Sequence, residues 1–235
     1  MSSIAIMQPY IFPYLGYFQL VFSVEKFVFY DDVNFIKQGW INRNRILLDN
    51  KEFLYTIPLK DASSFKLINE VGLDERNLKW KEKFYKTLES AYRKAPYFHN
   101  VYEMVRYVVG EEHKTIADLA SKSISVTSEY LNIKTEFKLS SAMMYQNSHL
   151  KAQERVIDIC LKEKTSRYIN PIGGGYLYSR EDFLSKEIEL NLLASTPISY
   201  RQFNNTFIPN LSIIDVLMFN SIDNVREFLH QYELV

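Results

Sequence analysis

The sequence predicts an α/β fold: a mainly parallel, Rossmann-like sheet with a helical insert. Three observations predict it. Residues 4–30 read as a short apolar strand, a proline-interrupted loop, a helix and a second apolar strand. The same alternation returns at residues 137–203. Between them, residues 74–131 carry a helical pattern. One α/β domain over residues 1–235, with the helices as an insert or subdomain, accommodates all three.

Ile4-Ala5-Ile6-Met7 is a buried strand, and Pro9 and Pro13 stop it from continuing. A helix follows from about Leu15 to Val24, with Leu20, Val21 and Val24 inward. Phe27 to Tyr30 is the second strand, ending at Asp31-Asp32. Ile46-Leu47-Leu48, a turn at Asp49-Asn50 and Phe53 to Ile57 form a hairpin. In the helical stretch Asp74 is a candidate cap, Pro96 an interruption and Gly110 a terminus. Phe137 to Ser140 is a strand and Gln153 to Glu163 an amphipathic helix with Val156, Ile159 and Cys160 on one face. Arg167 to Asn170 is a strand that runs into Pro171 and three glycines. Ile198 to Phe203 is expected as the last strand, and residues 212–220 and 222–232 as closing helices.

Composition removes several function classes. Lysine plus arginine equal aspartate plus glutamate, 28 each, so binding nucleic acid through bulk charge is disfavoured. A charged tRNA as partner draws no support from that balance. The single cysteine, Cys160, excludes an internal disulfide framework and lies in an apolar run. No zinc-ligand spacing appears, and no metal set is assigned. Residues 4–22 hold two prolines and a glycine, which argues against a spanning helix and for a cytoplasmic protein. The four histidines pair with no plausible serine and aspartate, so triad hydrolysis is not expected.

Four segments carry candidate chemistry. Gln8 to Tyr17 leaves the first strand and enters a helix, the place where open α/β sheets bind ligands. Gln8, Tyr14, Gly16 and Tyr17 are its candidate binding residues. Tyr30 to Arg45 follows the second strand. Here Asp31 and Asp32 suit proton transfer or a metal. Lys37, Arg43 and Arg45 suit phosphate. Trp40, Asn42 and Asn44 complete the set. Asn170 to Tyr178 offers Asn170, Gly173 and Gly174 as a backbone cradle for phosphate or sugar, and equally reads as a plain turn. Asn204 to Asp215 reads as helix capping by Ser212 or Asn210.

These segments together resemble the WbqC-like protein family. Ala5-Ile-Met-Gln-Pro-Tyr10, Phe12-Pro-Tyr-Leu-Gly-Tyr-Phe-Gln19, Tyr30-Asp-Asp-Val33, Gly39-Trp-Ile-Asn-Arg-Asn-Arg-Ile46, Tyr168-Ile-Asn-Pro-Ile-Gly-Gly174 and Pro209-Asn-Leu-Ser-Ile-Ile-Asp215 carry the resemblance. It implies a place in bacterial surface polysaccharide (O-antigen, lipopolysaccharide) synthesis and the attachment of glycine to an amino sugar. A remoter similarity is to the nucleotidyltransferase superfamily, whose ATP-using members carry His-x-Gly-His at a helix start. Tyr14-Leu-Gly-Tyr17 has that spacing and place, with tyrosine at both histidine positions. The similarity implies nucleotide binding, while neutral tyrosine supplies no imidazolium charge.

The expectation is an amide-forming acyltransferase or ligase acting on a nucleotide-linked amino sugar or other phosphorylated small molecule. ATP or an aminoacyl donor is the co-substrate. Asp31, Asp32 and Lys37 are the candidate catalytic residues. The alternatives are a non-catalytic sugar-nucleotide-binding or scaffolding protein, and a glycosyltransferase.

Overall fold

Along the first strand, Ile4 and Ile6 face one side of a sheet and Ala5 the other, and all three are buried. A strand apolar on both faces belongs inside a parallel sheet with helices above and below. The computed structural model has that architecture and describes residues 2–74, 79–203 and 206–235. The chain runs β1 (Ser3–Met7), α1 (Leu15–Phe22), β2 (Lys26–Phe29), then a hairpin of β3 (Arg43–Leu48) and β4 (Lys51–Thr56). A two-residue pair, β5 (Leu59–Lys60) and β6 (Gly72–Leu73), precedes helices α2 (Lys79–Tyr92), α3 (Phe98–Gly110) and α4 (Ile116–Tyr130). Then come β7 (Glu136–Leu139), α5 (Ala152–Lys162), β8 (Arg167–Pro171), α6 (Arg180–Leu184) and β9 (Glu189–Ser195). Helices α7 (Ile213–Phe219) and α8 (Ile222–Leu229) lead to β10 (Tyr232–Leu234).

The central sheet has the order β10-β9-β8-β1-β2-β7. All its pairs are parallel except β10 against β9. The chain starts in the middle, steps through β2 to β7, then crosses back through α5 to β8 on the other side of β1. Strand order therefore reverses between β1 and β8, the switch point where an open α/β sheet leaves a crevice at its carboxyl ends. One face packs Ile4, Ile6, Val28, Tyr168 and Leu190 on Val156, Ile159 and Cys160 of α5 and on Phe183. The other packs Ala5, Phe27, Phe29, Ile169 and Leu193 with α1, α7 and the α2–α4 helices in a larger core.

Two expected elements differ. Residues 198–203 form no strand. Pro197 has no amide hydrogen for a ladder, and Tyr200 and Gln202 turn inward to Asp215 instead (2.6 and 2.8 Å). That sheet edge is built by β9 and β10. Helix α8 stops at Leu229 rather than 232, because Tyr232 to Leu234 pair with β9. Ser212 caps α7 by accepting from Ile214 N–H. The expected cap at Asp74 concerns residues 75–78, which lie outside the described residues, as do Asn204 and Asn205.

Candidate functional site

The loop from Gln8 to Tyr14 is held from several sides. Ile11 N–H donates to Ile41 O (3.0 Å) and Phe12 N–H to Ser123 Oγ (3.0 Å). Phe12 O accepts from Asn44 Nδ2 (2.6 Å) and Ser212 Oγ (2.7 Å). Phe12 has φ 41°, a left-handed conformation costing a non-glycine residue roughly 1–3 kcal/mol, which these bonds offset. The loop is therefore set by β3, α4 and the start of α7. Tyr17 Oη donates to Gln8 O (3.1 Å), Tyr14 N–H to Tyr10 Oη (3.1 Å), and the Tyr10 and Tyr17 rings meet edge to face at 5.4 Å.

Above this loop, at the carboxyl ends of β1 and β8, lies a cavity of about 590 Å³. Gln8, Tyr10, Tyr14 and Tyr17 line its floor, Ile36, Trp40, Asn44 and Arg45 one wall, and Pro171 and Asn210 are also among its lining residues. The Arg45 guanidinium lies 5.1 Å from the Trp40 ring centre and pairs with Glu52 at 2.9 Å, while its buried Nε has no partner. Burial pushes the Tyr10, Tyr14 and Tyr17 phenols above their ordinary values, so all three are neutral hydroxyls at physiological pH. Asn44 is committed to the loop: its amide donates to Ile11 and Phe12 carbonyls and its Oδ1 accepts from Arg45 N–H.

A second cavity of about 430 Å³ adjoins the first, and Tyr14 and Asn210 line both. Leu15, Gly16 and Gln19 of α1 face it, with Ser195, Ser199 and Tyr200. A Cβ on Gly16 would lie 2.5 Å from Tyr14 Cε2 and 3.0 Å from Ser195 Oγ. Glycine is thus required by the ring of Tyr14, which seats on the helix and divides the two cavities.

The other candidates sit elsewhere. Asp31 is buried, and its carboxylate accepts from Ser141 N–H (3.0 Å) and contacts the hydroxyls of Ser140 and Ser141. Asp32 pairs with Arg155 and contacts Ser140 Oγ. Lys37 is exposed and lines neither cavity. Arg43 Nε donates to Gly39 O (2.7 Å) and Asn42 Nδ2 to Ile57 O (2.8 Å). The glycine run is a 3-10 turn over Ile172–Leu177. In it Gly174 packs under the Asn170 amide, and Gly173 has open space around it. Among the described residues, no three His, Cys, Asp or Glu side chains gather to hold a metal ion. Cys160 is buried and its thiol is pushed up to about 12.

Sequence reasoning missed two buried clusters. Asp215 Oδ1 accepts from Tyr92 Oη (2.7 Å), and Oδ2 from Tyr200 Oη and Gln202 Nε2. Burial raises its pKa, since three neutral donors and no cation surround it. The available signal was an acid inside the apolar run Ile213 to Met218. Arg155, the partner of Asp32, stands 123 residues away and gave none.

Residues 8–227 match the WbqC-like protein family. The chain belongs to that family. It is similar to the uncharacterized protein Rv1507c of Mycobacterium tuberculosis (strain ATCC 25618 / H37Rv), 27% identical over 223 residues, 92% of this chain and 93% of that protein. No solved structure matches it. For this WbqC-like chain, the matched span contains the β1 loop, the Trp40–Arg45 wall, Pro171 and Asn210, hence every residue lining the first cavity except Met7. No helix among its described residues is long and apolar enough to cross a membrane.

Proposed function

We propose that this WbqC-like chain is an amide-forming acyltransferase or ligase whose first cavity holds a nucleotide-linked amino sugar. The observation that carries the reading is the cavity's place at the β1/β8 switch point, with a guanidinium beside an indole on its wall. Arg45 supplies charge for a phosphate, and Trp40 a flat face for a base or sugar. Tyr10, Tyr14 and Tyr17 supply neutral hydrogen-bonding groups for sugar hydroxyls. In the reaction the sugar amine attacks the acyl carbon, a C–N bond forms, and the donor's leaving group departs with its electron pair. The amine's surplus proton passes to solvent. The acyl group is glycyl and the product enters surface polysaccharide synthesis, as family membership suggests. ATP or an aminoacyl carrier supplies the activated donor, and the cytoplasm is its setting.

One observation favours a second reading. The residues that line the cavity include no carboxylate, imidazole or thiol. A binding or scaffolding protein that only holds a sugar nucleotide needs none. The test is incubation with a panel of nucleotide-linked amino sugars, ATP and glycine, or glycyl-tRNA, read by mass spectrometry. The first reading predicts an N-glycyl sugar nucleotide. Tight binding without that product would favour the second, and neither binding nor product would contradict both.

A further inference from the structure

Three side chains that line the second cavity have committed their hydrogens elsewhere. Thr196 Oγ1 donates to Gln231 O (2.9 Å) and Tyr200 Oη to Asp215 Oδ2 (2.6 Å). A hydroxyl has one hydrogen to give, so each keeps only the capacity to accept. Gln19 of α1 is wholly buried, and its Nε2 donates to Phe228 O (2.8 Å) and Gln231 O (2.9 Å). Those two carbonyls fix which end of the amide is nitrogen, because an oxygen there would face two acceptors. Its Oε1 is left buried with no donor. A buried acceptor without a donor is costly, and a bound N–H group removes that cost.

The lining itself offers no cation to these acceptors. Among the described residues that line the cavity there is no lysine, arginine or histidine. Ser195, Ser199 and Asn210 can donate or accept. Donor groups lie at the start of α1, where Leu15 and Gly16 line the cavity and the N-cap residue Tyr14 gives no side-chain cap. First-turn amides have no partner inside their own helix. A ligand that suits both sets brings N–H groups to Gln19, Thr196 and Tyr200 and an oxygen to the helix start. A bare phosphate, which mainly accepts, suits only the second.

We propose that the second cavity binds a primary amine carried next to an oxygen atom. Tyr14 and Asn210 line both cavities, so this amine lies beside whatever the first cavity holds. Two sources share the chemistry: the amino end of an aminoacyl donor, where the oxygen is a carbonyl, and an amino sugar, where it is a hydroxyl. The assignment concerns the second cavity alone and stands whether or not the chain forms an amide.

The test is ligand-observed NMR titration of the full chain with two matched pairs. Glycine methyl ester is compared with methyl propionate, and glucosamine with glucose, so that each pair differs at the amine. Binding of the ester alone assigns the aminoacyl source, and binding of glucosamine alone the sugar source. Thr196→Val and Tyr200→Phe each remove one acceptor and should weaken the amine by roughly threefold to tenfold. Ser199→Lys, at an exposed lining position, brings a cation of its own into the cavity and should abolish binding. Thr196 and Ser199 are outside the core, so these two variants keep the test sound if Tyr200→Phe fails to fold. Binding of neither amine would overturn the proposal. So would equal binding of methyl propionate or glucose, or amine binding unchanged in both Thr196→Val and Ser199→Lys. The product assay for amide formation reads none of these outcomes, so the two readings fail separately.

Discussion

The carboxyl edge of the sheet carries two polar clusters, and they differ in what they leave unsatisfied. Beyond β2 and β7, Asp31, Asp32, Ser140, Ser141, Asn147 and Arg155 bind one another, with the Arg155 guanidinium 4.9 Å from the centre of the Tyr30 ring. Beyond β1 and β8, Arg45 keeps a buried Nε without a partner, and Tyr10, Tyr14, Tyr17 and Trp40 line a cavity, with Tyr10 and Tyr17 each making one hydrogen bond within the loop. Both clusters follow parallel strands, and both are rich in groups able to do chemistry. The first spends them on holding loop to helix. The second has groups left over, and left-over groups are what a ligand meets.

The largest effect should come from opening the closed cluster. Arg155→Ala leaves Asp32 without its counter-charge in a site where the arginine side chain is 8% and the aspartate 20% exposed. Urea unfolding should show a loss of about 3 kcal/mol, the low end for a broken buried pair. Affinity of the folded variant for a cavity ligand should stay within about twofold, as expected of a site with no shared partners. A well-folded Arg155→Ala chain that no longer binds ligand would erase the distinction between the clusters.

Gly16→Ala acts on the open one. The added methyl meets the Tyr14 ring at 2.5 Å, and ring or helix must shift. A cost of about 1–3 kcal/mol is expected, divided between unfolding and ligand affinity because Tyr14 lines both cavities. If stability alone falls, Tyr14 is a packing residue and not a binding one.

Two further buried acids sharpen the comparison through pH. Burial pushes Glu163 up, but its bonds to Lys138, Tyr145 and Lys26 outweigh this and its pKa is lowered. Its stabilising contribution is present above the unfolded value of about 4.3 and is lost as pH falls. Asp215 is raised, so its contribution is present below about 3.9 and is lost as pH rises through the folded value. Stability of the native chain minus that of Glu163→Gln should grow as pH rises to about 4.3 and then level off, while the same difference for Asp215→Asn should shrink as pH rises above about 3.9. Equal slopes would contradict the assignment of cations to one acid and neutral donors to the other. The smallest effect belongs to Lys37→Ala, an exposed residue outside both cavities, where stability should change by no more than about 0.5 kcal/mol.

Much of this was legible from one dimension. Ile4-Ala5-Ile6 followed by two prolines fixes β1 and its loop. The Asp49-Asn50 turn, with φ of 49° and 60°, is the left-handed pair a tight hairpin needs. Strand β9 was not legible, since Glu189-Leu-Asn-Leu-Leu-Ala-Ser195 has no β-branched or aromatic residue to favour a strand. The stretch 198–203 had that composition, yet its alternate side chains serve Asp215. In the candidate site, adjacency along the chain put Arg45, Trp40 and the tyrosines together. It equally put Asp31 and Asp32 there, because nothing local reveals that Arg155 and Ser140 satisfy them.

The central claim rests on Arg45 as the cation of the first cavity, and calorimetric titration of a nucleotide-linked amino sugar tests it most directly. Arg45→Gln keeps a polar side chain beside Trp40 and removes the charge. The account predicts that the native chain binds and that the variant, at unchanged fold by circular dichroism, binds roughly tenfold or more weakly, as loss of a charge-assisted hydrogen bond requires. Equal affinity in the two proteins would contradict it and move the phosphate site away from the β1/β8 cavity.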